Sequence, residues 1–181
     1  MSAQGPVRAT VKENTRLDWE TPKPFFNWRN SIWRFDVDAA ASRENSLLGL
    51  EYLGERSLYA EDALGLDLDW SDYGERFWVN PPYGRGVIDW VAAFYRQAQN
   101  GVFVEALLPA NTGTLWFKYC QETASQIELL TGRIGFWKNG KPMPPKEDAN
   151  TSDSMLVRWH RGVSGSANIR LTDWKEEMAD A

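Results

Sequence analysis

Val102-Phe103-Val104-Glu105-Ala106-Leu107-Leu108 is a near-continuous apolar run bounded by Asn100-Gly101 and Pro109. A strand with one wet face alternates apolar and polar residues, so this run describes a central strand covered on both faces. Such covering takes helices, and the chain supplies them. Gly86 to Gln99 places Val87, Trp90, Val91, Phe94 and Tyr95 at i, i+3, i+4, i+7 and i+8, an amphipathic helix closed by Asn100-Gly101. Thr114 to Ser125 reads as a second helix, with strands expected at Arg76–Val79, Gln126–Leu130 and Met155–Trp159. Trp33 to Val37 alternates as a first strand with Asp38 at its carboxyl end, and Ser57-Leu58-Tyr59 reads as a short second one. Strands and helices in alternation specify an α/β fold, a mostly parallel sheet with helices on both faces. Asp38 and Val79 are 79 − 38 = 41 positions apart, so the first half of the sheet is abbreviated.

The 181 residues, 43% of them hydrophobic, suffice for one core. A loose arm is expected over 1–14, a single domain over 15–171, and a frayed helical tail over 172–181 held by Leu171 and Trp174. No run approaches the roughly 18 apolar residues of a membrane span, and the N-terminus is too polar for a secretory signal. The lone cysteine, Cys120, forms no intrachain disulfide and fits a reducing compartment, so a cytoplasmic location is expected. With Trp116, Phe117 and Tyr119 around it, a buried, inert thiol is the simpler reading. Net charge is −5, which argues against indiscriminate nucleic-acid affinity, but the distribution is uneven. Asp36 to Glu75 holds eleven acids against Arg43 and Arg56, whereas Gly132 to Arg161 nets 6 − 3 = +3. A second mildly basic stretch runs from Arg8 to Arg34, so a polyanion would meet the two ends of the chain.

Chemistry concentrates at Asn80-Pro81-Pro82-Tyr83, directly after the Arg76–Val79 strand. Ligands of open α/β sheets bind at that end of a strand. Two prolines fix φ and remove two donors, so the Asn80 side-chain oxygen and the Pro81 carbonyl can both accept from one NH2 group. Tyr83 offers a ring to stack against its plane. An amine held so turns its lone pair outward, toward a methyl donor. The same four residues also suit a rigid turn, and they would hold a glutamine amide equally well. Three further segments fit a nucleotide-like cofactor: Asp38 before Ala39-Ala40-Ala41-Ser42, Asp62 before Ala63-Leu64, and Trp19-Glu20-Thr21-Pro22. Each has a plainer reading, as a solvated acid, a core indole or a helix cap.

In order, Trp19-x-Thr21-Pro22, Phe35-Asp36-x-Asp38-x-Ala40-Ala41-Ser42-x-x-Asn45, Asp69-Trp70, Asn80-Pro81-Pro82-Tyr83-Gly84, Trp90-Val91 and Leu107-Leu108-Pro109-Ala110-x-Thr112-x-Thr114-x-Trp116-Phe117 resemble the phage-type DNA N6-adenine methyltransferase family. The resemblance covers roughly residues 17–160. It implies a Rossmann-like class I methyltransferase fold, S-adenosylmethionine as cofactor and adenine in DNA as acceptor. It assigns Trp19, Thr21, Asp38, Ala40 and Ser42 to the cofactor, joined by Asp62 and Asn80, and makes Asn80, Pro81, Pro82 and Tyr83 catalytic. Two positions depart from the family pattern. Ala39 replaces its proline, and Asn111 stands where arginine is usual, which bears on DNA affinity.

Such a reaction needs no metal and no strong base; His160, the single histidine, is expected on a polar edge or at a phosphate. The target nitrogen is hidden in a duplex, so the base must flip out. With no large insertion available for reading sequence, DNA contacts are expected from Lys138 to Asp153, with Lys138, Lys141 and Lys146 on phosphates and Asn139 or Asn150 on a base edge. A protein glutamine methyltransferase, a non-catalytic binding module and a cytosine N4 methyltransferase remain alternatives.

Overall fold

The computed structural model describes residues 19–41, 45–48, 63–143 and 152–181. Helix α1 spans Lys23–Trp33, with Pro24 in the first turn, where amide donors have no helical acceptor. It stops at Arg34, whose φ of 52° is left-handed and whose amide donates to the Asn30 carbonyl at 2.8 Å. Strand β1 is Val37–Asp38, and a 3-10 turn at Trp70–Asp72 leads into β2, Arg76–Val79. Helix α2 is Val87–Gln99, β3 Phe103–Pro109, α3 Leu115–Thr123 and β4 Gln126–Leu130. A small hairpin, β5 Trp137–Lys138 and β6 Lys141–Pro142, precedes β7 Ser154–Trp159, β8 Asn168–Thr172 and α4 Trp174–Ala179.

The sheet runs β1-β2-β3-β7-β4-β8. Strand β7 is antiparallel to both neighbours, β3 and β4, while β1, β2 and β3 are mutually parallel and β8 is parallel to β4. All strands but β7 therefore share one direction. Alternate residues of β3 serve opposite faces. Val104, Ala106 and Leu108 join Trp90, Val91 and Phe94 of α2 in one core, whereas Phe103 and Leu107 meet Phe25, Phe26 and Trp28 of α1 and Trp174 of α4 in the other.

Glu105, the polar residue in the apolar run, is fully buried and accepts Nε and Nη2 of Arg29 on α1 at 2.8 and 2.7 Å. Arg158, opposite it on β7, lies 3.6 Å from the same carboxylate and also pairs with Glu128 of β4. Arg170 of β8 closes the series, 2.8 Å from Glu128 and 3.5 Å from Glu177 of α4. Burial pulls the Arg158 pKa down to about 10, so it stays protonated at neutral pH. Desolvation costs and attraction largely offset each other in such a ladder, yet losing one member strands a buried charge. The ladder thus fixes how α1 and α4 sit on the sheet.

Several sequence expectations need correcting. Trp33 ends a helix rather than opening a strand, and β1 is two residues long. Aromatic side chains that alternate along Trp33–Val37 mimic a strand, but α1 already buries Phe25, Phe26, Trp28 and Arg29 on a helical stripe. Strand β8 was unforeseen, and Leu171 on it is 72% exposed rather than held down. Trp174 does pack, edge-on to Phe25 and donating to the Gly132 carbonyl at 3.0 Å. Cys120 is buried, and desolvation pushes its thiol pKa up. The expected arm over 1–14 and strand at 57–59 lie outside the described residues.

Candidate active site

Strands β1 and β2 lie side by side with Asp38 opposite Trp78, so Asp38 and Asn80 emerge at the same carboxyl edge. Between them opens a cleft that both residues line. Trp78, Ala40 and Ala41 line it, and beneath them the buried Ala39 donates its amide to the Trp78 carbonyl at 3.0 Å. Ala40 and Ala41 border the cleft with single methyl groups, leaving room for a ligand close to the backbone.

Asp38 is 5% exposed, and burial pushes its pKa up to about 7 although the Leu47 amide donates to it at 3.3 Å. A carboxylate in that condition favours a cationic neighbour, which would restore its charge. The Asn80 amide is half engaged. Its Nδ2 donates to the Trp19 carbonyl at 3.3 Å, which orients the group and leaves Oδ1 buried without a partner. Thr21 Oγ1 is likewise buried and unpaired, so Thr21 does not cap α1; the capping position is Pro22. Both oxygens belong to residues that line the cleft, so each could accept from a polar ligand bound there.

Tyr83 is half-buried, with its hydroxyl directed at the Leu107 carbonyl 3.4 Å away; burial drives its pKa upward, so it stays protonated. Phe136 holds the aromatic wall together. It stacks on Trp19 at 5.2 Å and meets Tyr83 edge-on at 5.8 Å. Sequence reading missed Phe136 behind the cleft and Leu47 on its wall, and it quoted Glu20 and Asn45 only within their segments, without a role of their own. Phe136 lies in a Gly-rich stretch with no periodicity, which hides its burial.

The cleft therefore gathers Trp19, Thr21, Asp38 and Ala40 with Asn80, Pro81, Pro82 and Tyr83. Ser42, Asp62, Lys146 and Asn150 lie outside the described residues. Lys138, Asn139 and Lys141 sit on the β5–β6 hairpin, whose turn places Asn139 at φ 51° and Gly140 at φ 72°. Glu20 ties this hairpin to the cleft: it exchanges backbone bonds of 2.9 Å with Trp137, and its carboxylate accepts the Gly140 amide at 2.8 Å. His160, by contrast, packs against Trp33 and Phe103, at the start of β3 and the opposite edge of the sheet. Burial and Arg158 lower its pKa, and it takes no part in the cleft.

A mostly parallel sheet with helices on both faces, opening at its carboxyl edge on a buried carboxylate and an Asn-Pro-Pro-Tyr turn, is the build of a Rossmann-like methyltransferase. The chain belongs to the DNA N-6-adenine-methyltransferase (Dam) family, whose model matches residues 8–180. It is 29% identical over 110 residues to the DNA N-6-adenine-methyltransferase of Escherichia phage T1, a match covering 60% of this chain and 42% of that relative. Among solved structures it is similar to a predicted O-methyltransferase from Agrobacterium tumefaciens, at 15% identity and a TM-score of 0.39, covering 76% of this chain and 78% of that one. Among the described residues no cluster of three metal-ligating side chains occurs, and no helix is long and apolar enough to cross a membrane.

Proposed function

We propose that this chain methylates the N6 amino group of adenine in DNA, with S-adenosylmethionine as donor. The observation that carries the reading is the Asn80 amide on the cleft wall, fixed through Nδ2 with its Oδ1 buried and unpaired. That oxygen and the Pro81 carbonyl accept the two hydrogens of an exocyclic amine. The amine nitrogen then loses conjugation with its ring, and the positive charge that develops on it is dispersed over two preset dipoles. Tyr83, its hydroxyl directed at β3, offers its ring face to the base. No general base is required, because the proton leaves after the bond has formed.

The cleft residues fit the cofactor. Asp38 would hold its ammonium, Thr21 Oγ1 would hydrogen-bond its polar groups, and Trp19 would border its adenine. When bound, the cofactor supplies a methyl group on a sulfonium centre. Lys141 and Asn139 on the hairpin, with Lys138 and Lys146, are the proposed DNA contacts outside the cleft.

The test is transfer of tritiated methyl to unmethylated DNA, followed by digestion to nucleosides and mass spectrometry. N6-methyladenine that is absent with Asn80→Ala supports the reading. Label on protein glutamine, with none on DNA, overturns it.

A further inference from the structure

Two exposed side chains stand at the carboxyl edge of the sheet that carries the Asn-Pro-Pro-Tyr turn and are not part of the cleft lining. Leu115, the first residue of α3, is 83% exposed, and Arg85 is exposed between Gly84 and Gly86. Strands β2 and β3 are parallel neighbours, so the loops leaving their carboxyl ends, 80–86 and 110–114, share one edge. Both loops are open: a Cβ added at Gly84, Gly86 or Gly113 would meet nothing within 4 Å. Leu115 is nonetheless held in place. The Thr114 hydroxyl donates to the Asn111 carbonyl at 2.8 Å and accepts the Phe117 amide at 3.2 Å, so the first turn of α3 is rigid. Other exposed leucines lie elsewhere, Leu66 near the far end of α2 and Leu171 on the edge strand β8. Position, more than exposure, distinguishes Leu115.

Resting on the function proposed above, we infer that Leu115 enters the base stack of duplex DNA at the gap left by the departing adenine, while Arg85 holds a flanking phosphate. An adenine drawn toward Asn80 leaves two unstacked neighbours, and an apolar wedge restores contact on both sides. A leucine suits that task, since it presents branched apolar surface with no polar atom to desolvate. Asp89, exposed on the first turn of α2, sets a limit on how closely the backbone approaches there.

The experiment compares Leu115→Ala and Leu115→Met with the unaltered chain on three DNAs: a matched duplex, the same duplex with an abasic site opposite the target adenine, and a single strand. Leu115→Ala is expected to lose about 10–100-fold in kcat/KM on the matched duplex, the worth of one buried leucine side chain. It should stay within a few-fold on the other two, and Leu115→Met should retain activity throughout. Arg85→Gln should lower the salt slope of binding by about one. Equal loss on all three DNAs, or none on any, overturns the wedge. Absence of transfer by the unaltered chain to any of them overturns the function beneath it as well.

Discussion

Asn80→Ala should abolish most activity while leaving the fold as stable as before, and the two effects follow from the same geometry. The Asn80 side chain makes one long bond, Nδ2 to the Trp19 carbonyl at 3.3 Å, of the kind that contributes about 0.5–1.5 kcal/mol. Its Oδ1 is buried without a partner, a condition that costs roughly 1–3 kcal/mol in the free protein. Removing both leaves a balance between a loss of about 0.5 and a gain of about 2.5 kcal/mol, so Tm should fall by no more than about 2 °C in a chain of this size. In the transition state proposed above, the same oxygen would face a nitrogen acquiring positive charge. Loss of one preset dipole at a developing charge lowers kcat by about 10²–10³, roughly 2.7–4 kcal/mol. The assay is N6-methyladenine formation under single-turnover conditions beside a thermal melt. A rate within tenfold of the parent refutes the assigned role. A fall in Tm of more than about 5 °C would show instead that Asn80 holds the cleft together.

Asp38 gives a pH signature of unusual sign. Its folded pKa of about 7 lies above the ordinary 3.8, so between those values the folded chain binds more protons than the unfolded one. Stability of the ligand-free protein should therefore fall as pH rises from about 4 to about 7 and level off above, a slope that Asp38→Asn removes in urea titrations. Cofactor affinity should run the opposite way, dropping about tenfold per pH unit below 7 by calorimetry, since an ammonium needs the ionised carboxylate. Glu105→Gln should destabilise by about 3–5 kcal/mol, because Arg29 then keeps a buried charge with no carboxylate beside it and Arg158 retains Glu128 alone; a loss under 1 kcal/mol in chemical denaturation would contradict the ladder. Tyr83→Phe should preserve binding of DNA with an extrahelical target adenine, whereas Tyr83→Ala should lose about 1–3 kcal/mol of it, and equal affinities for the two variants would remove the stacking role.

What could be read from the sequence was what local pattern encodes. The β3 run, the α2 stripe and the strand before Asn80 all carry periodicities of one element. The tetrad stands out because its two prolines fix φ and restrict the Asn80 that precedes them, wherever such a run occurs. Helix α1 escaped because its buried face is aromatic and includes Arg29, which looks like a surface residue until Glu105 is placed opposite it. Glu105 itself breaks an apolar run for a reason that lies 76 positions away. Strand β8 escaped because its burial comes from one neighbour, β4, and most of its side chains face outward. Phe136 was invisible for a similar reason, since the Trp19 and Tyr83 rings it joins are more than fifty positions distant. Long-range partners, then, decided both the missed elements and the missed wall of the cleft.

The ladder and the cleft are connected through α1. Its middle is pinned by Arg29 on Glu105, and its start leads directly from Trp19 and Thr21, which form one wall of the cleft. The opposite wall, the β2 turn, is held to β3 by the contact between Tyr83 and the Leu107 carbonyl. Glu105 and Leu107 are two residues apart on the same strand and point to the same face. A single buried strand thus references both walls, one by an ion pair and the other by a hydrogen bond. This explains how the cleft can keep Asp38, Thr21 and Asn80 underpaired. Buried polar groups relax toward any available partner unless the elements carrying them are fixed elsewhere, and here they are fixed by charges in which every guanidinium has a carboxylate neighbour. Loosening that reference should let the walls close on each other before a ligand arrives. Glu105→Gln should accordingly weaken cofactor affinity as well as stability, even though Glu105 lies outside the cleft lining.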